Sequence, residues 1–345
     1  MKRLIGIWLV LQVLLMGACT PAAVPEAESE PVPGPVTPAA DPDPEEPPAP
    51  SGEPITLTVA TCNLLKPSGR PDEMSLDNPL VLQTLAKSVR ATRADVIGFN
   101  ELDENYGPNG PYSLSEACGL EGFTWSLTWP NEPQKYGPLK YSYANGFAFN
   151  GEILQLEDSG YVWLSKEESE TWYEKPAQAL NKKAGSPART CIWARFLHKD
   201  SKKVFWLFVT HLPTDSQGGG YNMAGVVNSF AAKKAGSAPA ILMGDMNCSP
   251  AMSEVSCTAT YRRLYLYWTD ANAESKLGTL SGSSASYYYT VDVFTKKHPE
   301  RRIDHVMTRG CSAKNYHSVV ETYTYEGKVW CPSDHLPVVA TVTIE

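Results

Sequence analysis

Short apolar runs bounded by polar residues recur along most of this chain, and their length sets the first expectations. Eight stand out: Ile55–Cys62, Val96–Asn100, Tyr143–Asn150, Cys191–Leu197, Val204–Thr210, Ala240–Gly244, Ile303–Thr308 and Val338–Ile344. Their shortness and their β-branched and aromatic content predict strands rather than helices. Val204–Val209 (Val-Phe-Trp-Leu-Phe-Val) is apolar at every position, as in a strand covered on both faces. Cys191–Leu197 alternates more and reads as half-buried. Helical periodicity is rarer: Pro79–Arg93 carries Val81, Leu82, Leu85 and Val89 at helical spacing, and a second helix is expected from Asn222 to Ala235. Many strands and few helices imply an α/β domain with two packed sheets.

The first 52 residues follow no such pattern. Lys2 and Arg3 precede an apolar run from Leu4 to Met16, followed by Gly17-Ala18 and Cys19. About 13 apolar positions are too few for a membrane-spanning helix, which needs about 20, so the run reads as a targeting segment. Met16-Gly17-Ala18-Cys19 resembles the lipobox of bacterial lipoproteins, with Met16 where that pattern usually has Leu. The resemblance implies cleavage before Cys19, acylation of its thiol and a membrane anchor outside the cytoplasm. A secretory peptide with a chance cysteine is the other reading. From Thr20 to about Gly52 the chain is mostly Pro, Ala, Glu and Asp, with almost nothing to bury, and is expected to be a solvated tether. The expected organisation is therefore a signal segment at 1–18, an acylated tether at 19–52 and one domain at 53–345.

Charge changes the picture little. The formal net charge is −8, but seven acids and only Lys2 and Arg3 lie before Ser51. The remainder holds 31 acids (38 less 7) and 28 bases (30 less 2), near −3, so no basic field favours tight non-specific nucleic-acid binding. Hydrophobic residues at 42% and charged ones at 20% suit a soluble globular domain. Beyond Cys19, seven cysteines remain, with no C-x-x-C spacing to suggest structural zinc. Export would permit Cys248–Cys257 or Cys311–Cys331 to pair, and buried thiols are the alternative.

Candidate chemistry sits in or just after the apolar runs, or close to them. In order come Thr61-Cys62-Asn63-Leu64, Phe99-Asn100-Glu101, Thr210-His211-Leu212, Gly244-Asp245-Met246-Asn247, Arg302-Ile303-Asp304-His305 and Ser333-Asp334-His335. Strand ends are rigid platforms from which several side chains can converge. Hydrolysis of a phosphate ester needs a hard cation held by oxygen ligands, a base for water, and donors for the phosphoryl oxygens.

This order of motifs resembles that of the endonuclease/exonuclease/phosphatase superfamily, also called deoxyribonuclease-I-like, over essentially all of Thr56 to Ile344. The resemblance implies a four-layer α/β sandwich of two packed mixed sheets flanked by helices, with the site at one end. It implies a hydrolase of phosphate mono- or diesters using Mg2+ or Mn2+. Glu101 would be the principal metal ligand, with Asn63 and Asp334 beside it. Asp245 would orient or deprotonate water, and Asn247 would hold a phosphoryl oxygen. His335 would contact the scissile phosphate, with Asp304 fixing its tautomer. His211 would bind phosphate or serve as an acid, and Arg189 would bind phosphate. Which residue is the formal base stays open. His305 should face away from Asp304 by strand alternation. His198, His298 and His317 match no motif.

Substrate choice would rest on loops, expected at Asp103–Tyr143 and Ser165–Ala188, which lack a Lys/Arg stripe apart from Lys182-Lys183. A phosphorylated small molecule or lipid headgroup is thereby favoured over nucleic acid, and no protein partner is implied. Tyr287-Tyr288-Tyr289 would line the cleft or form a strand. An extracellular nuclease and a non-catalytic binding lipoprotein on the same fold are the alternatives.

Overall fold

A computed structural model describes residues 52–67, 70–102, 104–107, 110–128, 144–164, 171–173, 189–214, 218–250, 255–274 and 302–345. The signal segment, Cys19 and the tether lie outside the described residues, as do Lys182-Lys183, Tyr287-Tyr288-Tyr289 and much of both expected specificity loops. Among the described residues no helix is long and apolar enough to cross a membrane.

The elements in chain order are β1 (Ile55–Asn63), α1 (Pro79–Ala91), β2 (Val96–Leu102), α2 (Leu114–Cys118), β3 (Phe123–Thr128), β4 (Ala144–Asn150), β5 (Leu154–Leu164), β6 (Trp172–Tyr173), β7 (Thr190–His198) and β8 (Val204–Thr210). They continue with α3 (Gly220–Ala235), β9 (Ala240–Asp245), α4 (Val255–Tyr265), β10 (Thr269–Asp270), β11 (Asp304–Arg309), β12 (Ser312–Ser318), the hairpin β13 (Tyr323–Tyr325) and β14 (Lys328–Trp330), and β15 (Val338–Ile344). One sheet has the order β12-β15-β1-β2-β4-β3 and the other β10-β11-β9-β8-β7-β5-β6. Both are mixed: β1–β2 and β8–β9 are parallel, and the remaining pairs are antiparallel.

Three apolar clusters define four layers. Leu57, Val59, Phe147 and Phe149 of the first sheet meet Phe196, Phe205, Val209 and Met243 of the second. Phe149 and Phe196 cross edge-to-face at 4.9 Å, a contact worth about 0.5–1.5 kcal/mol beyond the area it buries. Gly98 allows closest approach, since a Cβ there would lie 2.7 Å from the Met243 sulfur. Outside the first sheet, α1 turns Val81, Leu85 and Val89 inward. It starts at Asn78, whose side chain accepts from the Leu80 N–H, with Pro79 pre-set at the first turn. Outside the second sheet, α3 and α4 bury Val226, Phe230, Cys257 and Leu264.

All eight predicted strands and both predicted helices are present, with ends that agree within two residues. Among the described residues seven strands fell outside the apolar pattern, and the two longest of them show the physical reason. β5 is exposed along much of its first two-thirds, and edge strand β12 buries only Tyr316. Helix α4 buries Cys257, Thr260, Tyr261 and Leu264 on one stripe, but its β-branched and aromatic residues are weak helix formers. The suggested disulfides do not form: all seven cysteines in the domain are free thiols. Cys257 Sγ faces the Asn247 carbonyl, and Cys311 Sγ faces the carbonyls of Ala240 and Arg309.

Candidate active site

Register brings the motifs to one end of the sandwich. β1 and β2 run in parallel and finish together, Asn63 opposite Asn100. β15 runs antiparallel to β1, with Val338 opposite Thr61, so the Ser333-Asp334-His335 turn arrives beside Asn63. The Ser333 hydroxyl donates to the Asn63 carbonyl at 2.8 Å. In the second sheet Asp304 opens β11 directly opposite Asp245, which ends β9. Thr210 ends β8 and hands the chain to His211.

The side chains interlock across the sheets. Asn63 Nδ2 lies 3.1 Å from Asp245 Oδ2, 3.3 Å from Glu101 Oε1 and 3.4 Å from His335 Nε2. His335 Nδ1 is 2.7 Å from Asp304 Oδ2. His211 Nε2 is 3.3 Å from Asp245 Oδ2. The Asn247 N–H donates to Asp245 Oδ1 at 2.9 Å, and its Nδ2 donates to the Leu212 carbonyl at 2.8 Å. That carbonyl fixes the amide's orientation, so the Asn247 Nδ2 contact at 3.0 Å makes His211 Nε2 an acceptor. Glu101 and Asn247 adopt left-handed backbone, with φ of 56° and 47°. For Glu101 this is uncommon, and it coincides with a break in the β2–β4 ladder that turns the carboxylate into the cluster.

Burial and charge divide the two histidines. Burial alone would lower the His335 pKa, but Asp304, Asp334 and Asp245 raise it well above the ordinary value, so His335 is an imidazolium. His211 is held well below that value by burial and by the charges of Arg189, His335 and Lys66, so it is neutral. Burial pushes the Asp245 carboxyl up to about 7, with Asp304 and Glu101 adding to the rise and His335 opposing it. Burial, together with Glu101, likewise pushes Asp334 up to about 6. Asp245, Asp304 and His335 each place one atom within 4.8 Å of the others. Crowded carboxylates of this kind are the donor set whose mutual repulsion a divalent cation relieves.

Thus Asn63, Glu101, His211, Asp245, Asn247, Asp304 and His335 meet in one hydrogen-bonded cluster, and Asp334 adjoins it. Arg189 is 1% exposed, so it acts on His211 through its charge from inside the wall of the site. His305 faces the other way, as strand alternation predicts: its Nδ1 is 3.3 Å from Asp270 and its Nε2 is 2.8 Å from the Cys248 carbonyl. Two supports had no motif to reveal them. Arg70 bonds the carbonyls of Leu64, Leu65, Met74 and Pro332, tying the turn after Asn63 to the turn before Ser333. Buried Tyr106 donates to the Leu65 carbonyl at 2.8 Å.

Two packed mixed sheets between helices, with acids, amides and histidines gathered at one end, define a deoxyribonuclease-I-like fold. The chain belongs to the endonuclease/exonuclease/phosphatase family, whose profile matches residues 60–335. An endonuclease/exonuclease/phosphatase family protein of Bacteroides thetaiotaomicron is similar in structure, at TM-score 0.64 and 20% identity over 85% of this chain and 100% of that one. A mannosyl-6-phosphatase of the same organism follows at TM-score 0.63 and 19% identity, over 83% and 99%. TDP2 of D. rerio, complexed with a single-strand DNA product, is similar at TM-score 0.55 and 13% identity, over 83% and 98%. The comparison with curated proteins returns no match.

Proposed function

We propose that this chain is a divalent-metal-dependent phosphoesterase that hydrolyses phosphate mono- or diesters by attack of water on phosphorus. The observation that carries the reading is the opposition of charge within one buried cluster. The carboxylates of Glu101, Asp334 and Asp245 share the cluster with the His335 imidazolium, which Asp304 fixes at 2.7 Å. Magnesium or manganese held by Glu101 and Asp334 would offset phosphate charge and polarise a phosphoryl oxygen. Asn63, expected as a ligand, turns its Nδ2 to Glu101 and its Oδ1 to the Leu65 N–H and so would place the Glu101 carboxylate instead. His335 is not a ligand in this scheme, because a cationic imidazole has no lone pair to give.

The chain's own groups supply the rest. Asp245, with a carboxyl pKa near 7, is suited to take a proton from the attacking water. Its Oδ1 is occupied by the Asn247 N–H, which leaves Oδ2 to face the centre of the cluster. His335, through Nε2, would donate to an oxygen on which negative charge builds, and Asn247, held by the Leu212 carbonyl, would join it by exchanging its bond to His211 Nε2 for a phosphoryl oxygen. Neutral His211 keeps that amide in place without adding a second cation.

The reading extends to a phosphorylated small molecule or lipid headgroup as substrate, and to a lipid anchor at Cys19 outside the cytoplasm. Support comes from the absence of a Lys/Arg stripe in the loop sequences, from the lipobox-like segment, and from the similarity to a mannosyl-6-phosphatase. The similarity to TDP2 bound to a DNA product supports the second reading, a nuclease. Hydrolysis of sugar phosphates, inositol phosphates, sphingomyelin and plasmid DNA by residues 51–345 distinguishes them. Turnover of the small phosphoesters, lost in Asp245→Ala, supports the first reading. Turnover of plasmid DNA alone establishes the second, and turnover of none leaves a binding protein.

A further inference from the structure

Asp245 stands where the β8–β9 ladder opens. The strands pair in parallel as far as Val209 and Met243. Gly244 then adopts φ 141°, so close to β8 that a Cβ would sit 1.9 Å from the Thr210 carbonyl oxygen. On the other flank the Met246 N–H bonds the Ile303 carbonyl at 2.8 Å, so the Asp245 N–H faces away from β11. A side chain from the opposite sheet meets it. Asn100 Oδ1 accepts from the Asp245 N–H at 2.8 Å, while Asn100 Nδ2 donates to the Thr210 carbonyl at 3.1 Å. The carboxamide stands where a peptide unit would continue the ladder.

Asn100 is itself held. Its Nδ2 also donates to Asn145 Oδ1 at 2.8 Å. Asn145 Nδ2 donates to the carbonyl and hydroxyl of Thr190 at 3.0 and 3.2 Å, and the Thr210 hydroxyl closes the circuit on that carbonyl at 2.9 Å. None of Asn100, Asn145, Thr190 and Thr210 is more than 2% exposed, so each amide has one satisfied orientation. The next residue in the chain is Glu101, whose carboxylate enters the cluster on left-handed backbone.

We propose that Asn100, oriented by Asn145, is a positioning residue: it locks Asp245 to the strand end that carries Glu101, and so sets the spacing between the water-handling and metal-facing carboxylates. The proposal rests on the phosphoesterase reading of the site. Asn100 touches no reacting group in this scheme and acts through the main chain of Asp245. Displacement of a reacting group by about 1 Å costs about a hundredfold in rate, which sets the scale for losing the bridge.

The test compares Asn100→Ala, Asn145→Ala, the double variant and Asn228→Ala. The last removes an amide that donates to the Arg263 carbonyl at 2.7 Å and accepts from Trp268 Nε1 at 3.0 Å in the outer helical layer, outside the relay's circuit. Steady-state rates, thermal unfolding and hydrogen exchange of the segment containing the Asp245 amide are measured for each. Asn145→Ala is expected to lower kcat about tenfold with KM within about twofold, and to accelerate exchange at Asp245. Asn100→Ala should lose about a hundredfold, and the double variant no more than that, because both act through one bridge. Asn228→Ala should lower the Tm and leave kcat alone. Parental kcat in folded Asn145→Ala, additive losses, or unchanged exchange at Asp245 would overturn the proposal. If Asn100→Ala does not fold, Asn145→Ala decides. If the parent hydrolyses no phosphoester, the enzymatic reading fails, and exchange alone still shows whether the relay holds Asp245.

Discussion

Replacing Asp304 by Asn keeps the side-chain shape and removes its charge. Asp304 is 1% exposed, and its Oδ2 lies 2.7 Å from His335 Nδ1, so water cannot replace the lost interaction. A hydrogen bond to a charged group contributes about 1.5–3 kcal/mol and a neutral one about 0.5–1.5 kcal/mol. The difference, about 1–1.5 kcal/mol, favours only the imidazolium. At 1.36 kcal/mol per decade, kcat should fall about tenfold from the lost charge alone. The loss grows if the amide turns its NH2 towards Nδ1 and imposes the wrong tautomer. Burial already opposes the charged form of His335, and Asp304 is the foremost of the carboxylates that raise its pKa. The basic limb of the pH–rate profile should therefore move to lower pH. The assay is kcat against pH for parent and Asp304→Asn, with the imidazole titration followed by NMR. An unmoved basic limb with kcat within about twofold of the parent would refute the role given to the Asp304–His335 pair.

Other consequences follow from the same geometry. The raised carboxyls of Asp245 and Asp334 bind more protons folded than unfolded between about pH 4 and 7, so they stabilise the fold less as pH rises through that window. His335, also raised, contributes stability below the ordinary histidine pKa that is lost as pH climbs through its folded value. His211, depressed, works the other way up to about pH 6.5, where the unfolded chain holds the extra proton. Three raised groups oppose this one, so metal-free protein should melt lower at about pH 8 than at about pH 5, with magnesium reducing the gap; a higher Tm at the alkaline pH would contradict this. Arg70→Ala removes a charged donor from four carbonyls and should cost about 2–4 kcal/mol in urea unfolding; a loss within about 0.5 kcal/mol, as at an ordinary surface site, would contradict its role in tying the two turns. Gly244→Ala places a methyl 1.9 Å from the Thr210 carbonyl oxygen and should cost on the order of 4 kcal/mol or leave no soluble protein; a parental Tm would show that the strand end has room to shift.

The parts of the fold legible in the sequence were those whose burial is two-sided or strictly periodic. β8 read as a continuous apolar run because both faces are largely covered, β15 as an apolar run interrupted only by Thr341 and Thr343 on its half-exposed face, and α1 showed Val81, Leu85 and Val89 on one stripe. β5 and β12 stayed hidden because their polar positions face solvent. The site was legible because its residues stand at strand ends in a recurring order, and each of the seven that interlock could be numbered from that order. Asn100 was visible inside one motif, but as the neighbour of Glu101 rather than as a bridge. Asn145 had only the weak signal of a polar residue at the start of an otherwise apolar run. Arg70 gave none, because its bonds go to main-chain carbonyls, which any sequence supplies. The suggested cysteine pairs rested only on an exported location that would permit disulfides, and the partners of Cys257 and Cys311 are main-chain carbonyls.

In the proposed reaction Glu101 and Asp245 serve one metal-assisted attack on a phosphate ester. Initial rates on bis-p-nitrophenyl phosphate and a sugar phosphate, measured against free magnesium for the parent, Glu101→Ala and Asp245→Ala, separate the two roles. The parent should show saturable activation, abolition by chelator and recovery on adding magnesium. Glu101→Ala should need far more magnesium, and Asp245→Ala should stay about a hundredfold or more slower at saturation. Turnover that ignores chelator, or variants that match the parent at every magnesium concentration, would contradict it.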